Sequence, residues 1–259
     1  MKPYLFLHIP KTAGSSVAEC LPSGRTTIPH FFTENKDNND LCAFGFDGPR
    51  HHYTFEQYTK IGVEIPEKIY KFAFVRNPWD RVVSMFHHWQ KLNTKYTNYQ
   101  SKLTGETVTV REEFPDSVFG SFVSSTLYEA MQDNITEYKP KITHNGETLK
   151  GTFNQPTPGC PFYYTVQYGH FTPQVKYTHD SRGKQVVDFI GRYETLQQDI
   201  NKLRNILDEE LPLVTLPHIN QSKRLKKDYR DYYNDGTGLS KELVYEMYRE
   251  DIETYNYVF

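Results

Sequence analysis

The sequence predicts an α/β domain of three layers, with helices on both faces of a central parallel sheet. Two observations carry that expectation. Three short runs rich in large apolar residues, Tyr4–Ile9, Lys68–Val75 and Val186–Gly191, have the composition of strands buried on both faces. Each leads directly into a helical pattern, and strands that alternate with helices imply parallel neighbours joined by crossovers. A chain of 259 residues buries a substantial core as one domain. We read 1–259 as a single domain carrying an insertion or lid over about 93–170.

Taken in order, Pro10 stops the first strand and Lys11-Thr12-Ala13-Gly14-Ser15-Ser16 follows, opening a helix that runs through Val17 to Leu21. A cation, three hydroxyls, a glycine and the unpaired N–H groups of a helix start make a phosphate cradle. It is not the nucleotide-triphosphate loop, GxxxxGK followed by Ser or Thr, because Lys11 precedes Gly14 and no glycine opens the turn. Residues 22–49 are polar and rich in Gly, Pro and Asn, and read as loop. Thr54 is placed to cap a short helix over 55–58. The second strand runs into Arg76-Asn77-Pro78-Trp79-Asp80-Arg81 and a helix to about Lys91, with Val82, Phe86 and Trp89 on one face. This junction is a second anion site: Arg76 can fork onto a phosphate, Asp80 and Arg81 brace the turn, and Ser84 lies one turn into the helix.

Residues 93–170 are rich in Thr, Tyr, Asn and Pro with little sustained periodicity, and 116–132 is their best helix candidate. The third strand is followed by Arg192-Tyr193-Glu194 and a helix over about 195–207. Residues 213–216 read as a last short strand. The closing helix starts at about Ser240, with Leu243, Val244, Met247, Tyr248, Ile252 and Tyr255 forming its apolar stripe.

Composition excludes several classes. The charge balance, 30 basic against 32 acidic residues, argues against a general nucleic-acid binder. Cys20, Cys42 and Cys160 lie far apart, which fits neither a disulfide framework nor zinc. No run approaches the 18 or so apolar residues of a membrane span, and the first strand begins too close to Met1 for a signal peptide. A soluble, cytoplasmic protein is the expectation. The 20 Tyr and 17 Phe suit sugar or nucleotide grooves as well as a core. The basic run Lys223 to Lys227 is either a solvated face or an attractor for an anionic donor or glycan.

Lys11 to Ser16 after His8-Ile9-Pro10 resembles the 5′-phosphosulfate loop of sulfotransferases that use 3′-phosphoadenosine 5′-phosphosulfate. The string Arg76-Asn77-Pro78-x-Asp80-Arg81-x-x-Ser84 resembles their 3′-phosphate motif. Asp188-Phe189-Ile190-Gly191-Arg192-Tyr193-Glu194-Thr195-Leu196 is similar to another segment of the family, and His218-Ile219-Asn220-Gln221-Ser222 to its closing loop. The resemblance is to soluble, cytosolic-type members of the carbohydrate sulfotransferase superfamily, covers about two-thirds of the chain and leaves out 93–165. Ligands in open parallel sheets bind at the carboxyl ends of strands, where both phosphate motifs fall.

The resemblance implies a fold related to the P-loop nucleotide hydrolases and sulfuryl transfer to a hydroxyl, most simply on a carbohydrate. The partner is then a small-molecule or glycan acceptor, with no nucleic acid, no membrane span and no metal. It implies that Lys11, Thr12, Ala13, Gly14, Ser15 and Ser16 hold the 5′-phosphosulfate and that Arg76 and Ser84 hold the 3′-phosphate. Arg192, Asn220, Ser222 and Lys223 then complete the nucleotide site, and 3′-phosphoadenosine 5′-phosphate is the product. Lys11 is the cation for the leaving oxygens. A base must take the acceptor proton, and histidine suits the task. His51 and His52 fall between the two phosphate motifs, where the heparan 2-O- and 6-O-sulfotransferases keep a catalytic histidine, and the alignment favours His52. A carboxylate or another histidine is the remaining alternative, and a surface histidine pair is the plain one. His8 reads as structural or near the donor, and His87 and His88 as packing or solvent-facing. Two other functions compete: a nucleotide-dependent phosphotransferase with a modified loop, and a nucleotide- or glycan-binding protein without catalysis. The acceptor and the oligomeric state are not legible.

Overall fold

The computed structural model describes residues 4–21, 52, 54–60, 65–66, 68–92, 95–100, 107–112, 116–127, 141–144, 147–150, 170–208, 213–216, 224, 226 and 228–259. In chain order its principal elements are β1 (Tyr4–Phe6), α1 (Gly14–Cys20), α2 (Phe55–Lys60), β2 (Tyr70–Val75), α3 (Pro78–Leu92), β3 (Lys95–Gln100) and β4 (Thr107–Glu112). After mixed helical turns over 116–127 come β5 (Lys141–His144), β6 (Glu147–Lys150), α4 (Val175–Thr178), β7 (Phe189–Arg192), α5 (Leu196–Leu207), α6 (Leu239–Met247) and α7 (Arg249–Tyr255). The chain divides into two units: Met1–Arg81, Pro156–Gln221 and Tyr248–Phe259 form the first, and Val82–Gln155 and Ser222–Met247 the second.

The first unit is built on a parallel sheet of order β1-β2-β7. Its strands are short and apolar on both sides because successive residues enter two different cores. Tyr4, Phe6, Phe72 and Phe74 pack with Val17, Cys20 and Leu21 of and after α1 and with Ile200, Leu203 and Leu207 of α5. Leu5, Leu7, Ile9, Ala73 and Val75 pack with Tyr58 of α2, Tyr177 of α4 and Tyr255 of α7. Phe6 and Phe72 stack across the strands with ring centroids 5.0 Å apart. Truncating either to Ala costs about 3–5 kcal/mol. In β7 the residue opposite Phe74 is Gly191, where a Cβ would stand 2.3 Å from the Phe74 ring, so only glycine admits that aromatic.

The described residues of the second unit carry two antiparallel hairpins, β3–β4 and β5–β6. An aromatic cluster holds its described helical parts: Phe86 lies 5.3 Å from Phe119 and 5.4 Å from Phe122, and Phe119 lies 5.6 Å from Tyr232 and 5.0 Å from Tyr233.

Four expectations about elements change. Residues 93–170 contain the hairpins β3–β4 and β5–β6. The helix expected over 116–132 is, in its described part, a 3-10 turn (Asp116–Val118), an α turn (Phe119–Ser121) and a π turn (Phe122–Leu127). Residues 213–216 form no strand: Asn201 and Gln197 of α5 accept from the Val214 and Leu216 N–H groups at 3.1 and 3.0 Å, and Gln197 donates to the Val214 carbonyl, so side chains replace a neighbouring strand. The closing helix is two helices broken at Tyr248, whose buried hydroxyl donates to the Phe171 carbonyl at 2.9 Å.

Candidate active site

β1 delivers the chain into a turn that its own residues close. Thr12 is fully buried and its hydroxyl donates to the Ile9 carbonyl at 2.9 Å. Lys11 and Ala13 both adopt left-handed backbone, with φ of 69° and 67°, a conformation that costs an L-residue of this kind roughly 1–2 kcal/mol. Ala13 is the N-cap of α1 and no side chain caps the helix. The first N–H groups of α1 therefore lack the partner that Ser, Thr or Asp gives elsewhere. Gly14 is required by contact: a Cβ there would lie 2.0 Å from Nε2 of buried His8. His8 cannot retreat easily, since its ring is stacked on Phe6 at 5.3 Å and meets His52 edge-on at 4.6 Å.

The turn after β2 is satisfied by side chains. Asn77 caps α3, its Oδ1 accepting from the Trp79 N–H at 3.0 Å, with Pro78 in the first helical position. Glu194 accepts from the Asn77 N–H at 2.6 Å, and Asn77 Nδ2 donates to the Val258 carbonyl at 2.8 Å. Arg76 donates from Nε and Nη2 to Asp80, each at 2.7 Å, and Tyr193 lies 3.8 Å beneath its guanidinium. Two arginines then tie this turn to the first. Arg76 Nη1 donates to the Lys11 carbonyl at 3.0 Å, and Arg81 Nε donates to the Pro10 carbonyl at 3.1 Å. The carbonyls of the first turn are thereby taken up, and its helix-start amides remain the groups suited to an anion.

Histidines gather beside this pair of turns. His52 Nδ1 lies 3.1 Å from the His8 carbonyl, and its ring is 5.1 Å from that of His170. A carbonyl only accepts, so Nδ1 carries the proton and the lone pair of the neutral ring is on Nε2. Tyr177, whose phenol is pushed well above its ordinary range by burial, donates to the His52 carbonyl at 3.0 Å. His87 belongs to the second unit, where it meets the Tyr232 hydroxyl at 2.8 Å.

Of the residues singled out in the sequence, Lys11 to Ser16, Arg76 and His52 thus come together in the first unit. Ser84 is buried in α3 one turn beyond Asp80 and belongs to the second unit. Arg192 turns to the C-terminal segment, donating to the Tyr255 carbonyl at 2.6 Å with its guanidinium over Tyr257. His51, Asn220, Ser222 and Lys223 lie outside the described residues. Among the described residues no group of three or more His, Cys, Asp or Glu side chains is arranged to hold a metal ion, and no helix is long and apolar enough to cross a membrane.

Sequence reasoning missed His170, Gln174 and Asp251. Gln174 Oε1 accepts from the Arg76 N–H at 2.8 Å, and Asp251 accepts from the Gln174 N–H at 2.8 Å. Burial pushes the Asp251 carboxyl up, opposed by Arg81 and by the N–H groups it accepts. None of the three stands in a recognisable string. Glu194 was the exception, since it closes the Gly191-Arg192-Tyr193-Glu194 segment.

A protein-family model described as the sulfotransferase family matches residues 2–258, nearly the whole chain. No curated protein and no solved structure matches it.

Proposed function

The chain belongs to the sulfotransferase family, and from that premise we propose that it moves a sulfuryl group from 3′-phosphoadenosine 5′-phosphosulfate to a hydroxyl of a carbohydrate acceptor. The observation that carries the reading is the joining of the two turns. Lys11, the uncapped start of α1 and Arg76 belong to one buried framework, through the bonds from Arg76 to Lys11 and from Arg81 to Pro10. A nucleotide with phosphates on two carbons needs two such sites at strand ends.

In this reading the amides of Gly14, Ser15 and Ser16, with the two serine hydroxyls, hold the 5′-phosphosulfate. Thr12 and Ala13 shape the turn, since the Thr12 hydroxyl is engaged with Ile9. Arg76 and Ser84 hold the 3′-phosphate; one N–H on each terminal nitrogen of Arg76 is left after Asp80 and Lys11 are served. Arg192, Asn220, Ser222 and Lys223 belong to the remainder of the nucleotide site. His52 is the base, in preference to His51. The acceptor oxygen bonds to sulfur as the sulfur–oxygen bond to the 5′-phosphate breaks, the acceptor proton goes to His52 Nε2, and Lys11 stabilises the charge left on the phosphate oxygen. We propose further that the architecture is the three-layer, P-loop-like one, in a single domain whose 93–170 segment shapes the acceptor pocket.

The test is calorimetric titration with 3′-phosphoadenosine 5′-phosphate, 5′-AMP and ATP in EDTA. The reading expects the 3′-phosphorylated nucleotide to bind most tightly and Arg76→Ala to abolish that preference. Equal or better binding of ATP, or binding only with Mg2+, favours a phosphotransferase. His52→Ala should lower kcat by about 10²–10⁴-fold with nucleotide affinity retained. Nucleotide binding without transfer to any acceptor would instead mark a non-catalytic protein.

A further inference from the structure

Between the two site-bearing turns runs a third, at 170–175, that resembles neither and is held at nearly every peptide by buried side chains from elsewhere. Arg81 Nη2 donates to the carbonyls of His170 and Thr172 at 3.1 and 3.0 Å. Tyr248 donates to the carbonyl of Phe171. Asp251 accepts from the N–H groups of Gln174 and Val175, both at 2.8 Å, and so supplies the start of α4 with its cap. Arg81, Gln174 and Asp251 are each fully buried.

The use of this anchoring is visible at Gln174. Parallel pairing of β2 with β7 ends at Val75 opposite Arg192. The next peptide groups, those of Arg76, would be orphaned inside the protein. One primary amide takes both: Gln174 Oε1 accepts from the Arg76 N–H at 2.8 Å, and Gln174 Nε2 donates to the Arg76 carbonyl at 2.9 Å. The second hydrogen of Nε2 points to Asp251 Oδ2 at 3.3 Å. Three partners therefore fix which end of the amide faces which group, since the reversed amide would set N–H against N–H.

We propose that Gln174 is a positioning residue for Arg76, setting the direction in which the guanidinium leaves the end of β2 and with it the preference for a nucleotide bearing a 3′-phosphate. The proposal rests on the reading of Arg76 as a 3′-phosphate ligand. The physical ground is leverage. The Arg76 fork has to reach Asp80, the Lys11 carbonyl and the Tyr193 face from one Cα, and that Cα lies beyond the last rung of the sheet. Without Gln174 two buried peptide groups lose their partners, and the peptide turns or admits water to recover them.

Gln174→Met keeps the length of the side chain and removes both bonds, while Gln174→Asn shortens the amide by one carbon and pulls it back from Arg76. Tyr248→Phe is the control, because it removes a donor from the same turn without touching Arg76. The readout is the ratio of affinities for 3′-phosphoadenosine 5′-phosphate and 5′-AMP, taken by calorimetry beside the melting temperature. Gln174→Met should lower that ratio by about ten- to a hundredfold with 5′-AMP affinity within about threefold of wild type. Gln174→Asn should fall between, and Tyr248→Phe should lower the melting temperature and leave the ratio alone. An unchanged ratio in Gln174→Met, or an equal fall in Tyr248→Phe, overturns the proposal. Should Gln174→Met not fold, an unchanged ratio in Gln174→Asn overturns it equally. A wild-type protein with no preference for the 3′-phosphate removes the premise instead, a result separable from all of these.

Discussion

The turn after β1 and the turn after β2 occupy the same place in the topology, at the carboxyl ends of neighbouring parallel strands, and are built in opposite ways. Residues 76–81 are satisfied by side chains: Asn77 caps the helix, Asp80 neutralises Arg76, Glu194 and Gln174 take the peptide groups. Residues 10–16 are built of backbone, with two non-glycine residues at positive φ and a helix start that no side chain caps. The second turn also supplies the bonds that hold the first, through Arg76 and Arg81. With its helix start uncapped, that turn is held by the Thr12 hydroxyl on the Ile9 carbonyl, and a partner outside it must hold the rest. Here the neighbouring turn does so, at the cost of burying two arginines.

This contrast breaks first at Asp80. The Arg76 side chain is 6% exposed and the Asp80 side chain 12%, so Asp80→Ala leaves a buried cation without its carboxylate, and a loss of about 3–5 kcal/mol is expected in chemical denaturation. Saturating 3′-phosphoadenosine 5′-phosphate should restore more stability to this variant than to wild type, because a phosphate can take the place of the carboxylate. A cost below about 1 kcal/mol would mean the pair is solvated and the second turn does not stand by itself. Lys11→Met should behave in the opposite manner. Its printed part in the framework is its backbone carbonyl, which methionine keeps, so turnover should fall by roughly 10²–10³-fold while the loss of stability stays below that of Asp80→Ala. If the stability falls with the turnover, the two turns do not divide the work as described.

The same contrast governs what was legible in the sequence. Lys11 to Ser16 and Arg76 to Ser84 stood out as strings of cations and small residues at fixed offsets after apolar runs, and each lies at a turn that ends a strand and opens a helix. The two-core character of β1 and β2 was legible for a similar reason, since a strand buried on both faces has no polar positions to hide its pattern. The scaffold behind the site was not. Gln174 meets Arg76 across 98 residues and Asp251 across 77, and a buried amide in a stretch rich in Thr, Tyr and Pro reads as ordinary loop. Arg192 was legible as a residue and not as a contact, because its partner is a carbonyl of the C-terminal segment. Residues 213–216 have strand composition, yet side chains of α5 satisfied them before any strand did.

Gly14 sharpens the comparison at smaller scale. Gly14→Ala drives a methyl group into the His8 imidazole, which is itself pinned between Phe6 and His52. An overpacking cost of about 1–3 kcal/mol is expected by urea denaturation. Because His8 holds His52 Nδ1 through its carbonyl, kcat should fall further than nucleotide affinity does. Equal losses in both would mean that His8 supports the nucleotide cradle and not the base.

The smallest effect tests the strain itself. Ala13 has φ of 67°, where glycine is at no steric disadvantage. Ala13→Gly should therefore raise stability by about 0.5–1 kcal/mol, the relief of the left-handed conformation less the extra entropy of glycine in the unfolded chain. Nucleotide affinity should stay within about threefold of wild type, because the arginine bonds grip the carbonyls of Pro10 and Lys11 rather than the side chain of residue 13. A stabilised variant with much weaker nucleotide binding would show that the stiffness of Ala13, and not the grip of the second turn, keeps the amides aimed. A variant with no gain in stability would show that the first turn is not strained at residue 13, and the contrast between the two turns would then rest on their hydrogen bonds alone.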